Sequence, residues 1–131
     1  KEIIKLKLGN KVFLKGWKKN VNNYLKFSKL FVLSSLYEGL GNVLIDSINY
    51  NVPCVSTNCK SGPNEILLKN RGGYLAKNND IDNLANKMII AIKNYKISVK
   101  KKNIAKKSLN RFLISNQVEK YKSWLLKFEN F

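Results

Sequence analysis

The residues best suited to chemistry gather in one stretch, Ser34-Ser-Leu-Tyr-Glu-Gly-Leu-Gly-Asn-Val-Leu-Ile-Asp46. It reads as a strand end, a glycine-bearing loop and the start of a helix. In an open parallel sheet, ligands bind at the carboxyl ends of the strands. Gly39 and Gly41 let the backbone approach a ligand with no side chain in the way. The loop amides and the helix N-terminus offer positive partial charge to an anion, and a diphosphate fits such a cradle. Glu38, at the mouth of the loop, is wrong for phosphate but right for sugar hydroxyls. Asp46, one turn into the helix, is placed to meet a ribose. Glycine-rich strand-to-helix turns also arise for folding reasons alone, so a purely structural reading stands beside the phosphate reading.

These residues need a scaffold. The 131 residues suffice for one domain. Short apolar runs alternate with amphipathic stretches, the signature of βα units around a parallel sheet. Ile3, Ile4 and Leu8 have helical spacing, and Gly9 is expected to end that helix. Val12–Leu14 reads as a short strand closed by Gly16. Asn20 is expected to cap a helix through Lys29. Leu30–Leu33 is a continuous apolar run, as for a strand buried on both faces. A helix is predicted from about Asn42 to Tyr50, and a second buried strand over Pro53–Ser56. Gly62 and Pro63 break the chain before a short helix. Gly72 and Gly73 turn into a brief strand at Tyr74 and Leu75. Asp80 is expected to cap a helix with Ile81, Leu84, Ala85, Met88, Ile89 and Ile92 on one face. Residues 99–111 and 117–129 read as two further helices, parted near Ser115 and Asn116.

Composition narrows the chemistry. The sequence has no histidine, so His-based metal sites and His general bases are excluded within it. Two cysteines cannot build a structural zinc site. They are expected to be reduced, Cys54 in the core and Cys59 near a loop, in keeping with a cytosolic location. Asp80 and Asp82 read as helix-start residues rather than metal ligands. Glu65 either supports the short helix start or lies beside the sugar site. Ser61 and Gly62 line the same side and either touch the ligand or only form the loop. Trp17 either stacks on a base or packs on the surface.

The formal charge is +17, from 25 basic residues against 8 acids. Such an excess suits a polyanion, either anionic lipid or nucleic acid. Nearly all of it is lysine in a chain rich in Asn and Ile, which also fits the bias of an A+T-rich coding sequence. Between Asp82 and Glu119 stand nine basic residues and no acid, either a solvated face or a membrane- or partner-facing stripe. No apolar run approaches the roughly 20 residues needed to cross a bilayer.

Three motifs in order, Ser34–Asp46, Asn51-Val-Pro-Cys-Val-Ser56 and Ser61-Gly-Pro-Asn-Glu-Ile66, resemble the C-terminal, donor-binding lobe of retaining, family-4 glycosyltransferases of the GT-B fold. The hallmark of that family is two acids with seven residues between them, the spacing of Glu38 and Asp46. Val12-Phe-Leu-Lys-Gly16 resembles the strand before the base pocket, and Gly73-Tyr-Leu75 with Asp80 to Leu84 resembles the closing strand and helix. The resemblance covers nearly the whole chain. It implies an α/β, Rossmann-like parallel sheet with flanking helices. Residues 1–131 would be a partial lobe, truncated at its N-terminus, with 99–129 as C-terminal helices. The family's early Arg and Lys that clamp the diphosphate, and its acceptor-binding N-terminal lobe, do not appear in the sequence.

The resemblance implies a function for the whole protein. It would transfer a hexose or N-acetylhexosamine from a nucleotide sugar, UDP preferred over GDP, to a glycan or lipid-linked acceptor with retention. The work would be done at the cytosolic membrane face with no metal or other cofactor, and this chain alone would be inactive. Glu38 would be the catalytic residue, binding donor sugar hydroxyls and helping to place the anomeric carbon. The amides of Gly39, Leu40, Gly41, Asn42 and Val43 would hold the distal phosphate. Asp46 would bind the ribose, and Gly16 and Trp17 would lie near the base. Two positions depart from the family. Asp46 stands where Glu is usual, shortening the reach by about 1.5 Å, and Gly41 where Pro is common, which is expected to loosen the loop. Two other readings remain at this level. One is a non-enzymatic remnant that binds a nucleotide or a partner protein. The other is a nucleic-acid-binding domain, which has the charge but no reading helix or aromatic platform.

Overall fold

Three short runs rich in β-branched and aromatic residues form a parallel sheet: β1 (Phe31–Leu33), β2 (Cys54–Thr57) and β3 (Tyr74–Ala76), in the order β1-β2-β3. The computed structural model describes residues 1–128. Phe31 stands opposite Cys54 and Leu33 opposite Ser56, while Val55 meets Tyr74 and Thr57 meets Ala76. Parallel strands need crossover connections, supplied here through α3 (Asn42–Asn49) and α4 (Pro63–Ile66). β2 is central and buried along its whole length. β1 was expected to be covered on both faces, but it lies at the edge of this sheet and is only half-buried.

Helices cover both faces. On one, Leu44 and Ile48 of α3, Ile66 of α4 and Ala105 of α6 (Tyr95–Ser108) pack with Cys54 and Leu75. On the other, Leu84, Met88 and Ala91 of α5 (Ile81–Lys93) pack on Val55 and Tyr74. Asp80 caps α5 as expected, its Oδ1 accepting from the Asn83 amide at 2.9 Å. The apolar face is narrower than the sequence suggests. Leu84, Met88 and Ala91 turn inward, whereas Ile81 is 85% exposed and Ile89 and Ile92 also face outward. The small Ala91 side chain lets the helix seat closely, and the neighbouring isoleucines flank the contact without entering it.

Lysines fasten α6 to the end of α3. Lys102 and Lys106 donate to Asn51 Oδ1 at 3.2 and 2.9 Å, and Lys106 also donates to the Asn49 carbonyl at 3.2 Å. Asn51 takes the left-handed conformation, φ 65°. Burial, with Lys106 beside it, pulls the Lys102 pKa below the ordinary lysine value.

The C-terminal helices break at different points from those predicted. α5 gives way to α6 at Asn94, a 3-10 turn, η1, follows at Leu109–Phe112, and α7 spans Ile114–Leu125. Leu109 is buried and Phe112 packs against the same core, so packing holds the tighter turn. Extended Leu113 (ψ 138°), not Ser115 or Asn116, makes the final break. The predicted end at residue 129 lies outside the described residues.

The first 30 residues depart most from expectation. α1 spans Glu2–Lys5, and left-handed Lys7 (φ 53°) ends it before Gly9. α2 covers only Asn22–Lys26, with Val21 rather than Asn20 at its N-cap. Val12–Leu14 forms no strand, and Phe13 and Leu14 are 64% and 86% exposed. A strand needs a neighbour to take up its backbone groups, and among the described residues none runs beside this segment.

Candidate functional site

The β1–α3 loop, residues 34–41, is held from behind. Thr57 Oγ1, at the end of β2, lies within hydrogen-bond distance of the Leu33 carbonyl (3.4 Å) and of the Ser35 carbonyl. Asn78 Nδ2 donates to Leu36 O at 3.0 Å, and Ser61 Oγ donates to Glu38 O at 2.6 Å. Gly62 supports the loop by having no side chain, since a Cβ there would stand 2.1 Å from the Leu40 carbonyl oxygen. The last loop residue, Gly41, takes φ 82° and ψ 50°, and its carbonyl accepts from Leu44 N at 2.8 Å.

Several loop carbonyls are therefore tied to the scaffold, while the amides that follow are not. Among the described residues, the N–H groups of Gly39, Leu40, Gly41, Asn42 and Val43 donate to no backbone carbonyl. They lie at or just before the first turn of α3, which carries no acid. A run of unengaged amides at a helix start can bind an anion.

Glu38 sits half-buried in the loop. Asp46 is exposed on α3 and lines a cleft of about 580 Å³ with residues including Asn42, Asn49, Lys106 and Phe112. The structure thus places Glu38, the Gly39–Val43 amides and Asp46 on one loop-and-helix unit. Gly16 and Trp17 lie in the irregular stretch between α1 and α2, Trp17 84% exposed. Among the described residues, no hydrogen bond joins them to the loop.

Local details refine the expectations. Gly41 was expected to loosen the loop, and the structure shows its backbone in the left-handed region. Its positive φ is one that a proline ring, locked near −65°, cannot adopt. Glu65 lies in the first turn of α4, where an acid is favoured, and the N-cap, Gly62, makes no side-chain cap bond. Cys59 is buried, like Cys54, and both are free thiols. Burial pushes the Cys54 thiol up to about 12, so it is no nucleophile. Among the described residues, no group of three or more His, Cys, Asp or Glu side chains could hold a metal ion. No described helix is long and apolar enough to cross a membrane. The supports Thr57 and Asn78 were not among the residues singled out from the sequence, and nothing local marks them.

A parallel sheet with helices on both faces and a glycine loop at a strand's carboxyl end is shared by many Rossmann-like folds, the lobes of GT-B glycosyltransferases among them. Comparison with known proteins points to the GT-B lobes. The chain resembles the crystal structure of a Staphylococcus aureus TarM variant in complex with Fondaparinux, alpha-GlcNAc-glycerol and UDP. That match has a TM-score of 0.82 at 28% identity, over 92% of this chain and 25% of the other. It is 32% identical over 118 residues to the Escherichia coli UDP-Gal:alpha-D-GlcNAc-diphosphoundecaprenol alpha-1,3-galactosyltransferase, covering 89% of this chain and 30% of that protein. It is 52% identical over 65 residues to an uncharacterized glycosyltransferase of Methanocaldococcus jannaschii, covering 50% of this chain and 16% of the relative. The Glycosyl transferases group 1 profile matches residues 1–108, and the chain belongs to that family. It spans between 16% and 30% of the length of these two curated relatives.

Proposed function

We propose that this chain is the donor-binding part of a retaining, family-4 glycosyltransferase, a partial GT-B C-terminal domain over residues 1–131 with its C-terminal helices included. The whole protein transfers a hexose or N-acetylhexosamine from a nucleotide sugar, UDP-linked in preference to GDP-linked, to a glycan or lipid-linked acceptor. The observation that carries this reading is the run of unengaged amides from Gly39 to Val43, on a loop whose carbonyls are bound from behind. Those amides receive the distal phosphate. Fixed donors aimed at the leaving group stabilise its growing charge without reorganising, so no metal ion is needed.

Glu38 is the catalytic residue in this reading. Its carboxylate binds hydroxyls of the donor sugar and places the anomeric carbon, the kind of positioning from which much of a rate enhancement can come. Asp46 takes the ribose hydroxyls, through a water where its shorter side chain falls short. Gly16 and Trp17 approach the base once the rest of the lobe is in place. The acceptor binds through a separate N-terminal lobe. The UDP in the TarM complex and the UDP-Gal and diphosphoundecaprenol in the name of the Escherichia coli relative support this choice of donor and acceptor. A lipid-linked acceptor and a charge of +17 also favour work at the cytosolic membrane face, on anionic lipid.

Calorimetric titration of the full-length protein with UDP, GDP and their sugars tests the donor assignment. The Glu38→Ala variant should lose transfer, by about a hundredfold or more, while still binding UDP. Unchanged transfer in that variant overturns the role of Glu38. Failure of every nucleotide to bind the parent protein overturns the reading as a whole.

A further inference from the structure

We propose that the cleft between the C-terminal end of α4 and η1 is a second anion site, distinct from the β1–α3 loop, that binds a phosphomonoester or diphosphate group. The chain has 25 basic residues, of which just two, Arg71 and Arg111, are arginines. Both line this cleft of about 530 Å³, together with Lys69, Asn64, Leu68 and Glu65. They reach it from different elements, Lys69 and Arg71 from the turn after α4 and Arg111 from η1.

Both sides are held in place. Leu68, Lys69 and Asn70 follow one another in left-handed conformation, with φ 53°, 51° and 71°. The Lys69 amide donates to Asn64 O at 3.0 Å, Arg71 N to Leu68 O at 3.1 Å, and Gly72 N to Leu67 O at 2.8 Å. Opposite, Arg111 Nη2 donates to the Glu65 carbonyl, and the guanidinium carbon lies 4.6 Å from the centre of the Phe112 ring. Arg111 Nε is enclosed and, among the described residues, has no partner.

Glu65 is the acid that lines the cleft, and among the described residues it forms no ion pair with these cations. Among the described residues, the ion pairs join Lys5 to Glu2 and Lys122 to Glu119, and none reaches Lys69, Arg71 or Arg111. Like charges in one cleft repel at short range, and a bound anion relieves that repulsion. A guanidinium carries five N–H donors in a planar fork that matches phosphoryl oxygens in pairs, which an ammonium cannot do. In a chain whose positive charge is otherwise lysine, both such forks line this one cleft. Glu65 lines it too and opposes an anion, so its charge keeps the affinity down.

In the guanidinium Nε–H region of a heteronuclear NMR spectrum, Arg71 is assigned as the signal lost in Arg71→Gln and Arg111 by its proximity to the Phe112 ring protons. Inorganic phosphate and pyrophosphate are titrated into the full-length protein, with sodium chloride at matched ionic strength as the control. Both signals should move along one saturable curve. Arg71→Gln should weaken binding by about tenfold, Lys69→Gln should weaken it less, and Glu65→Gln should tighten it. Arg111 is left in place because it also holds the Glu65 carbonyl. Sedimentation with phosphatidylcholine vesicles, with and without phosphatidic acid, separates the sources of the phosphoryl group. Capture that depends on phosphatidic acid and is lost in Arg71→Gln assigns the site to a lipid headgroup. A response to the soluble anions with vesicle capture indifferent to Arg71 assigns it to a soluble phosphate. Arginine signals that stay still with both anions and with phosphatidic acid vesicles, or that move as far with chloride, overturn the proposal.

Discussion

Two of the three strand-to-helix turns of this sheet share a glycine at positive φ yet differ in their surroundings. Each runs from a parallel strand through a short loop to a glycine at positive φ just before a helix: Gly41 at φ 82° before α3 and Gly62 at φ 83° before α4. Around Gly41 there is room, since a Cβ would meet the Leu44 and Leu33 side chains at 3.6 and 3.7 Å, ordinary contact distances. Around Gly62 there is none, because the Leu40 backbone occupies that space. The second turn also supplies Ser61 to the Glu38 carbonyl. In the proposed reading the first turn is the cradle and the second its buttress, and a shared positive φ says little about which one meets a ligand.

Breaking the buttress should cost most. Gly62→Ala forces a methyl group into the Leu40 carbonyl at a strained φ. It should destabilise the protein by about 3 kcal/mol or more, read by urea denaturation, and abolish UDP binding. Gly41→Ala should cost about 1 to 2 kcal/mol, since the strain is conformational and the added methyl meets its neighbours at ordinary contact distance. If both variants lose the same stability, the distinction between the turns fails. Thr57→Val removes the hydroxyl beneath the Leu33 and Ser35 carbonyls and should cost about 1 kcal/mol, with UDP affinity falling further than stability alone explains.

A pH-dependent effect concerns the strand that feeds the buttress. Cys54 in β2 has its thiol pKa pushed up to about 12 by burial, against about 8.5 in an unfolded chain. The folded protein therefore keeps this proton after the unfolded chain has lost it. Stability from Cys54 should be constant below about pH 8 and decline as pH rises from there toward 12. Denaturation of the parent and of Cys54→Ala at pH 7 and pH 10 should show a shallower alkaline loss in the variant. Equal losses would mean that Cys54 does not titrate differently on folding.

Features governed by neighbours in sequence were legible. The Asp80 cap, proline at the start of α4, the buried strand after Pro53 and the loop-to-helix unit from Ser34 to Asp46 each follow from a rule spanning a few residues. Features governed by distant partners were not. Thr57, Ser61 and Asn78 reach loop carbonyls 22, 23 and 42 positions away, and no local pattern announces that. Val12–Leu14 has the residues of a strand, but a strand exists only beside another. On α5, isoleucine satisfies an apolar pattern whether it enters the core or flanks it, so the face was drawn too wide. The arginine cleft escaped for the same reason as the supports, because Arg71 and Arg111 lie far apart in sequence and line one cleft only in the folded chain.

The lysines that fasten α6 have a consequence at the opposite end of α3. An α-helix is polarised, negative where its last carbonyls emerge and positive where its first amides do. In α3 the negative pole is offset by the ammonium groups of Lys102 and Lys106 around Asn49 and Asn51. The positive pole meets no acid in its first turn. With the negative pole offset, the positive pole at Gly39 to Val43 is less opposed, and in the proposed reading the attraction of an anion there rests in part on two side chains at the helix's far end.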